Sequence, residues 1–278
     1  MTVLEHPTNQ HYDLDPRVFG LFLGETRKYS SGWYATGEET LDLAQRQKMD
    51  LVADLVHADD RSRVLDIGSG WGALVLHLAD VRGCDVTGIS PAARQQEFVE
   101  QRARHRGLAH RVRMITSPFE TAQDLPHGLD AVTALGSVVH MLDLPAVLAK
   151  ARSLLRRGGR MYLSESCFRN AAIRARFNQV DGTDFVRETI FGNGELRPLS
   201  ELVAAAEDAG FSVETCLDLT RHYHRTIEQW AQNVGAAAAR LEAVEPGITS
   251  RLTHYLDVSN AGWGYTTKHY ALVLRNAR

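Results

Sequence analysis

Cysteine is scarce in this sequence, and its three cysteines cannot build a metal or redox motif. Cys84, Cys167 and Cys216 lie far apart and form no CxxC pair. A low and odd cysteine count is typical of the reducing cytosol, where disulfides rarely persist. The cysteines therefore exclude a disulfide scaffold and a cysteine-based zinc site, and we predict no metal centre.

Long hydrophobic runs are missing as well. The longest apolar stretch, Ala131 to Leu142, is interrupted by Ser137 and His140 and is too short to cross a bilayer. The N-terminus lacks the basic stretch followed by an apolar run that marks a signal peptide. We therefore expect a cytoplasmic protein without stable membrane insertion.

The chain has no excess of basic charge. Its 31 Lys and Arg residues against 34 Asp and Glu give a formal net charge of −3, which does not suit binding to nucleic acid or an anionic membrane through bulk charge. One basic cluster lies on a predicted polar helix and the turn after it, where a solvated face is the simplest interpretation. We predict no nucleic-acid partner. The cluster comprises Arg102, Arg104, His105, Arg106, His110, Arg111 and Arg113.

The residues that are present have the pattern of an α/β enzyme. The 278 residues are 44% hydrophobic and 23% charged, which fits one large globular domain with an insertion or cap. Short β-rich runs alternate with amphipathic stretches, and this rhythm predicts a parallel sheet with helices on both faces. Strands are predicted at 63–67, 85–89, 111–116, 129–135 and 160–164, and helices at 74–81, 92–106 and 144–155, the last ended by Gly158-Gly159.

The flanking regions divide the chain into four parts. Residues 1–60 are predicted to form a helical segment that covers the site, with a helix at 40–56 packed on the sheet. Residues 61–165 form the Rossmann-like core, and residues 166–209 form a helical lid. Residues 210–278 return to the core sheet through strands at 211–215 and 270–274, with a further helical insertion between them.

A glycine-rich turn is the strongest motif. It lies in the segment Val64-Leu-Asp-Ile-Gly-Ser-Gly-Trp-Gly72, between a predicted buried strand and a predicted helix. Gly68, Gly70 and Gly72 let the backbone approach a ligand and direct amide N–H groups towards it. Their spacing lacks the last interval of the dinucleotide pattern, and Asp66 lies inside the strand just before the turn. A ligand-free turn is the alternative, but an acid followed by three spaced glycines favours a nucleotide-type site.

Polar and aromatic residues follow the next two strands. Many nucleotide folds place an acid after the second strand to bind the ribose hydroxyls, but the strand end at Gly88-Ile89-Ser90 has none. Gln95 can supply both a donor and an acceptor to those hydroxyls. After the third strand, Phe119-Glu120 suits stacking on adenine, with a core role for Phe119 as the alternative.

These motifs, together with others, resemble the cyclopropane-fatty-acid and mycolic-acid cyclopropane synthases, a branch of the class I S-adenosylmethionine (SAM) methyltransferases. The glycine turn resembles motif I of that class, and Phe119-Glu120 stands in place of Trp-Glu. The resemblance runs nearly from end to end, and the order and spacing of its motifs carry it. Its other segments are His11-Tyr-Asp-Leu-Asp15, Phe19 with Leu21-Phe-Leu23, Tyr29-Ser-Ser-Gly-Trp-Tyr34, Thr40-Leu-Asp-Leu-Ala-Gln45 with Lys48, Gln95 after Gly88, Ile190-Phe191 with Gly194 and Leu196, Gly210-Phe211, and Tyr223 with Thr226 and Trp230.

The resemblance implies a seven-stranded, mostly parallel methyltransferase sheet with an N-terminal helical segment and a helical cap over the acceptor site. It implies SAM as the cofactor, with the glycine turn around its methionine end, and a small-molecule acceptor. The residues assigned to SAM in this way are Tyr29, Ser30, Asp66 of the motif, Gly68, Gly70, Gly72, Ser90, Gln95, Phe119 and Glu120.

The chain departs from this family at the residues that hold the catalytic base. In the family a bound bicarbonate, held by a Cys, a Glu, a His and a Tyr, removes the proton that closes the cyclopropane ring. The Cys corresponds to Ser31 here and the Glu to Val139, which offers an anion no hydrogen-bonding group. The His corresponds to Ser164, and only the Tyr is kept, as Tyr223. We therefore expect no bicarbonate site, which argues against cyclopropane closure while methyl transfer is retained.

Three residues are candidates for the replacement base. Glu165 lies at the carboxyl end of the fifth predicted strand, where α/β sheets bind ligands, and a solvated or ion-paired acid is its alternative. His140 follows the fourth strand and titrates near neutral pH, with a structural role as its alternative. Tyr223 matches the family, with packing in the cap as its alternative.

The predicted function is methyl transfer from SAM to a small, largely apolar molecule. Aromatic rings in the N-terminal segment and cap suit an apolar acceptor and stabilise a developing cation, and carbon of an isoprenoid or prenylated natural product is the preferred acceptor atom. N- or O-methylation, a lipid cyclopropane or methyl-branching synthase, and a non-catalytic SAM-binding protein remain alternatives. A homo-oligomer that exchanges N-terminal segments is also left open. The aromatic residues predicted to contact the acceptor are Tyr12, Trp33, Phe191 and Trp263.

Overall fold

The computed structural model describes residues 15–179 and 194–277, and its centre is one mixed β-sheet. The strand order is β3-β2-β1-β4-β5-β8-β7, with the short β6 paired to β5. The strands from β3 to β5 are parallel, and β8 runs antiparallel to both β5 and β7. The strands are β1 (Arg63–Ile67), β2 (Asp85–Ser90), β3 (Val112–Thr116), β4 (Leu129–Leu135), β5 (Leu155–Phe168), β6 (Arg197–Pro198), β7 (Ser212–Asp218) and β8 (Thr267–Arg275).

Helices cover both faces of this sheet. On one face α2, α3 and α4 pack over Val64, Ala131 and Tyr162, and on the other α5 and α7 pack over Leu65 and Val132. This is the predicted Rossmann-like α/β fold. The helices are α1 (Pro16–Phe22), α2 (Leu41–Leu55), α3 (Ala73–Val81), α4 (Ala93–His105), α5 (Leu144–Leu154), α6 (Ala171–Phe177), α7 (Leu199–Asp208), α8 (Thr220–Ala236), α9 (Ala238–Val244) and α10 (Ile248–Ala261).

A separate helical layer is formed by α1, near the start of the chain, and by α8, α9 and α10, which precede β8. Phe19 and Phe22 of α1 pack in one buried cluster with Trp230 of α8, Leu241 of α9 and Leu252 of α10. The predicted helical segment at 1–60 is interrupted in its described part, because no regular helix occurs between α1 and α2. The chain there is an irregular segment, and its Tyr29 lines the cavity over the glycine turn. None of the described helices is long and apolar enough to span a membrane.

The start of β5 differs from the prediction. The helix before it ends at Leu154, and the strand begins at once, so Gly158 and Gly159 lie inside β5 rather than closing the helix. The pairing of β4 with β5 shifts register between Leu129 and Ala131. A Cβ on Gly159 would lie 3.0 Å from the carbonyl oxygen of Leu129, so the glycine permits the close backbone approach of this bulge.

Candidate active site

Two adjoining cavities open at the carboxyl ends of the parallel strands. The first lies over the glycine turn between β1 and α3 and the ends of β2 and β3. The second lies over the ends of β4 and β5 beneath α8 and α10. This is where α/β sheets of this topology bind ligands. Tyr29, Gly136 and His140 line both cavities, so these residues mark where the cavities meet.

The glycine turn forms the floor of the first cavity. Gly68 and Gly70 line it, and the N–H of Gly68 donates to the carbonyl of Ile89, 2.9 Å away. A Cβ on Gly68 would lie 2.3 Å from Cβ of Ser137. Because Ser137 is held by its own hydrogen bond to the carbonyl of Ile67 at 2.8 Å, only glycine fits beneath it.

The ends of β2 and α4 supply a buried polar pair. Ser90 Oγ donates to Gln95 Oε1 at 2.8 Å, and both side chains are buried and line the first cavity. This bond leaves the amide nitrogen of Gln95 as the donor for a ligand. The role of this pair in binding ribose hydroxyls stays a prediction.

The loop after β3 is held by hydrogen bonds from a lysine that the sequence analysis did not identify. Lys150 Nζ of α5 donates to the carbonyls of Phe119 at 2.7 Å, Glu120 at 3.1 Å and Ala122 at 2.7 Å. It also lies 5.1 Å from the centroid of the Phe119 ring, a distance at which a cation interacts with the ring face. Phe119 and Glu120 line the cavity, and Lys150 fixes the backbone that presents them.

Two basic residues also line the first cavity. Arg27 Nη1 is buried and has no hydrogen-bond partner among the described residues. Lys28 is 8% exposed, and burial lowers its pKa while nearby Asp66 opposes that shift. A cavity lined by two basic residues, a carboxylate-bearing loop and a glycine-rich turn fits SAM, which carries a carboxylate, a ribose and an adenine.

Several aromatic rings line the second cavity. Tyr223 of α8 lies 5.0 Å from Trp263 and 6.0 Å from Trp230, measured between ring centroids. Phe168 and Phe177 also line this cavity, with ring centroids 5.2 Å apart. Such rings exclude water and offer π faces to a cation. Of the residues that define this cavity in the described ranges, none is Lys or Arg.

Glu165 is the acid of the second cavity. It is 6% exposed, and its two oxygens accept backbone N–H bonds from Val139 and Ser166, each at 3.0 Å. Those bonds and nearby Arg197 favour the carboxylate, but burial outweighs them and raises the pKa of Glu165 to about 7. A buried acid with a pKa near neutrality in a cleft is suited to take up a proton.

Two histidines flank this acid. His140 ends the short 3₁₀ turn Val138–His140 after β4 and lines both cavities. His269 of β8 was missed, because only the pairing of β5 with β8 brings it beside Ser166. Its Nδ1 is 3.2 Å from Ser166 Oγ, its ring lies 4.7 Å from Tyr223, and burial lowers its pKa well below the usual value.

Seven of the ten residues assigned to SAM line the first cavity, and three do not. Ser30 lines the second cavity instead. Asp66 is buried beneath the turn and accepts a hydrogen bond from Thr133 at 2.7 Å. Gly72 caps α3, and the space beside it is filled by Val99. The assigned residues that do line it are Tyr29, Gly68, Gly70, Ser90, Gln95, Phe119 and Glu120.

The acceptor residues divide differently. Trp263 lines the second cavity, as do the base candidates Glu165, His140 and Tyr223. Trp33 lines neither cavity, because its ring stacks on His222 with centroids 4.3 Å apart. Tyr12 and Phe191 lie outside the described residues.

The residues that depart from the family pattern, Ser31, Val139 and Ser164, lie in different surroundings. Val139 lines the second cavity, whereas Ser31 and Ser164 are fully buried and line neither cavity. The Ser31 hydroxyl donates to the neighbouring carbonyl of Gly32 at 3.1 Å. At Val139, where the family has a Glu, the backbone N–H donates to Glu165. The acid in this cavity is therefore Glu165, the residue of β5 that follows Ser164.

Comparison with known sequences identifies relatives along most of the chain. A family model described as mycolic acid cyclopropane synthetase matches residues 4–271. The methyltransferase UmaA of Mycobacterium tuberculosis is 27% identical, with 88% of each chain covered. The chain spans only 61% of a probable fatty acid methyltransferase of Pseudomonas putida, at 28% identity. It spans 62% of pavine N-methyltransferase of Thalictrum flavum subsp. glaucum, at 27% identity over 80% of this chain.

Solved structures share the fold. Mycolic acid cyclopropane synthase CmaA1, complexed with S-adenosylhomocysteine (SAH) and CTAB, superposes with a TM-score of 0.86 at 21% identity over 99% of both chains. A geranyl diphosphate methyltransferase in complex with SAM superposes with a TM-score of 0.66 at 18% identity, over 89% of this chain and 98% of the other. With the glycine turn and the two cavities, these matches establish that the chain belongs to the mycolic acid cyclopropane synthetase family and is a SAM-dependent methyltransferase.

Proposed function

We propose that this enzyme methylates a carbon of an alkene in a small, largely apolar acceptor of isoprenoid character. The observation that carries the proposal is Glu165, a buried acid with a raised pKa in an aromatic cavity that adjoins the cofactor cavity. Addition of a methyl group to an alkene leaves a carbocation that must lose a proton, and Glu165 is placed to receive it.

The first cavity serves to hold the cofactor. Ser90 and Gln95 would bind its ribose, Phe119 its adenine and Arg27 its carboxylate, according to the chemistry of each side chain. When bound, SAM supplies the electrophilic methyl group: the alkene π electrons form the new C–CH₃ bond, the S–CH₃ electron pair stays on the departing SAH, and a neighbouring C–H proton passes to Glu165. The protein's main task is to align the acceptor and exclude water.

The second cavity supports the charge that develops. Tyr223, Trp263 and Trp230 present π faces and edges around one space, and cations over such rings are stabilised by about 0.5–2 kcal/mol each. His269, which burial keeps neutral, does not add a competing positive charge. In this scheme no bicarbonate is required, since the Glu165 carboxylate itself accepts the proton.

N-methylation of an amine is the second candidate. A carboxylate inside an aromatic cage also suits an ammonium group, which could lose its proton to Glu165 before the nitrogen attacks. Pavine N-methyltransferase, one of the relatives, is named for such an activity. The two candidates differ in the atom that receives the methyl group, and this difference can be measured.

The proposal is tested by turnover of methyl-labelled SAM against four acceptors: geranyl diphosphate, a prenylated phenol, pavine, and an unsaturated phospholipid with and without bicarbonate. Mass and NMR analysis of the product locate the methyl group. We expect C-methylation of a prenyl acceptor that is indifferent to bicarbonate. Methylation of pavine alone would replace the proposal with the amine function, and a bicarbonate-dependent cyclopropane on the lipid would overturn both.

The matched variants are Glu165→Gln and Glu39→Gln. Glu39 is also buried, at 6% exposure, and accepts backbone N–H bonds from Thr36 and Gly37, but it lies outside both cavities. We expect Glu165→Gln to lower the rate by about 10²- to 10⁴-fold, the usual range for loss of a general base. Glu39→Gln should keep the wild-type rate, and equal losses in both variants would remove Glu165 from the reaction.

A further inference from the structure

Gly136 lies where the two cavities meet and carries no side chain. It directly follows β4 and lines both cavities together with Tyr29 and His140. Any group that passes from a ligand in the first cavity to a ligand in the second must cross this boundary. The boundary residues therefore decide whether a methyl group has room there.

The backbone at Gly136 is held from both sides. Its N–H donates to the carbonyl of Ser164 on β5, 2.8 Å away. The next residue, Ser137, donates through Oγ to the carbonyl of Ile67 on β1 at 2.8 Å. Since both strands belong to the central sheet, these bonds fix the position of the Gly136 backbone relative to the cavities.

The space beside Gly136 is open. A Cβ built there meets no atom of the described residues within 4 Å, in contrast to Gly68, where it would meet Ser137 at 2.3 Å. Packing against protein therefore does not explain the missing side chain at position 136. We propose that Gly136 is a positioning residue that leaves the passage between the cavities free for the methyl group of SAM, an inference that rests on the proposed acceptor role of the second cavity.

Backbone geometry offers a competing explanation that can be separated experimentally. Gly136 has φ +71°, a conformation that disfavours any side chain. Gly107, in the turn after α4, has φ +70°, and a Cβ there also meets no described atom within 4 Å. It lines neither cavity. Gly107→Ala thus reproduces the backbone strain of Gly136→Ala without placing a methyl group in the passage.

The experiment is calorimetric titration of wild type, Gly136→Ala and Gly107→Ala with SAM and with SAH, which lacks the transferable methyl group. We expect the ratio of Kd for SAM to Kd for SAH to rise about tenfold in Gly136→Ala, because one added methyl overfills a space that must hold another. The ratio should be unchanged in Gly107→Ala, while thermal unfolding shifts similarly in both variants.

A ratio within twofold of wild type in Gly136→Ala would overturn the inference, as would equal weakening of both ligands. The readout needs no acceptor, so it stands apart from the identity of the substrate. If Glu165→Gln kept full activity while the Gly136→Ala ratio rose, the proposed base would fail and the passage would hold. If Glu165→Gln lost activity while the Gly136→Ala ratio stayed at the wild-type value, the proposed function would stand. The glycine at position 136 would then be explained by backbone geometry alone.

Discussion

At the scale of single residues, burial decides the chemistry of the site. Glu165 accepts two backbone N–H bonds, which usually lower a carboxyl pKa, yet its pKa is raised to about 7. Desolvation therefore exceeds the hydrogen bonding, and a proton-accepting carboxylate forms only as the pH passes neutrality. The rate of methyl transfer should follow this titration.

The first prediction concerns this pH dependence. With wild-type enzyme and saturating SAM, kcat/KM for the acceptor should rise between about pH 6 and pH 8, because Glu165, the proposed base, accepts a proton in its carboxylate form. Glu165→Gln should give a flat and lower profile over the same window. A wild-type profile that stays flat, or a variant that keeps the rise, would assign the titration to another group.

Lys48 gives a residue-scale prediction about stability. Lys48 lies on α2 and is fully buried, and its ammonium group has no hydrogen-bond partner among the described residues; the group lies 5.5 Å from the centroid of the Tyr162 ring. Burial lowers the pKa of Lys48 to about 7, and nearby Lys28 lowers it further. The unfolded chain binds this proton more tightly, so between about pH 7 and pH 10.5 the free energy of unfolding should increase with pH.

Lys48→Met should therefore stabilise the protein most at neutral pH, by about 2 kcal/mol, the scale for removing a buried polar group without a partner. The advantage should be smaller at pH 10, where the folded-state amine is neutral and the unfolded-state amine starts to lose its proton as the pH approaches 10.5. Chemical denaturation at the two pH values measures it. Lys268, whose ammonium lies 3.0 Å from Asp218, provides the control, since Lys268→Met should show no such gain. Destabilisation by Lys48→Met at pH 7 would contradict the argument.

At the scale of elements, the sequence patterns succeed for the parallel strands β1 to β4. The predicted bounds of β1 and β4 match the structure, and those of β2 and β3 differ by one residue. Alternating apolar residues and flanking glycines determine these units locally. The glycine turn and the residues after β2 and β3 were found for the same reason, since each directly follows a strand with a clear pattern.

Features that depend on pairing between distant strands could not be predicted in this way. His269 and Ser166 meet because β8 inserts antiparallel between β5 and β7, and nothing in the local sequence fixes that register. Trp33 was predicted to contact the acceptor because a high aromatic content indicates an aromatic cavity. The content does not show which rings line that cavity, and in the structure Trp33 stacks on His222. Lys150 resembles any exposed helix lysine until the loop after β3 is seen to fold over it.

Helix α5 yields the element-scale prediction. Through Lys150 it fastens three carbonyls of the loop that carries Phe119. Lys150→Met should weaken SAH binding about tenfold, because the loop loses its charge-assisted bonds and must be ordered by the ligand. Arg152→Met, on the same helix and outside both cavities, should bind SAH as wild type does. Calorimetry decides, and equal affinities in both variants would show that the loop holds its shape without Lys150.

At the scale of the whole molecule, one tyrosine connects the cofactor cavity to the helical layer. Tyr29 lines both cavities, and its hydroxyl donates to that of Tyr255 on α10 at 3.1 Å. Its ring packs 5.3 Å from Trp230 on α8 and 6.2 Å from Phe22 on α1. A ligand that immobilises Tyr29 therefore restrains helices contributed by both ends of the chain.

This connection predicts where SAH should slow amide hydrogen exchange. Protection should increase about tenfold in α1 and α8, although these helices lie outside the first cavity, because restraint of Tyr29 makes their local opening less favourable. Helix α7, which packs on the sheet away from both cavities, should exchange at an unchanged rate. In Tyr29→Ala the added protection of α1 and α8 should disappear even at saturating SAH. An equal slowing in α7 would instead mean that the ligand stabilises the fold uniformly, and Tyr29 would then have no special part in connecting the first cavity to the helical layer.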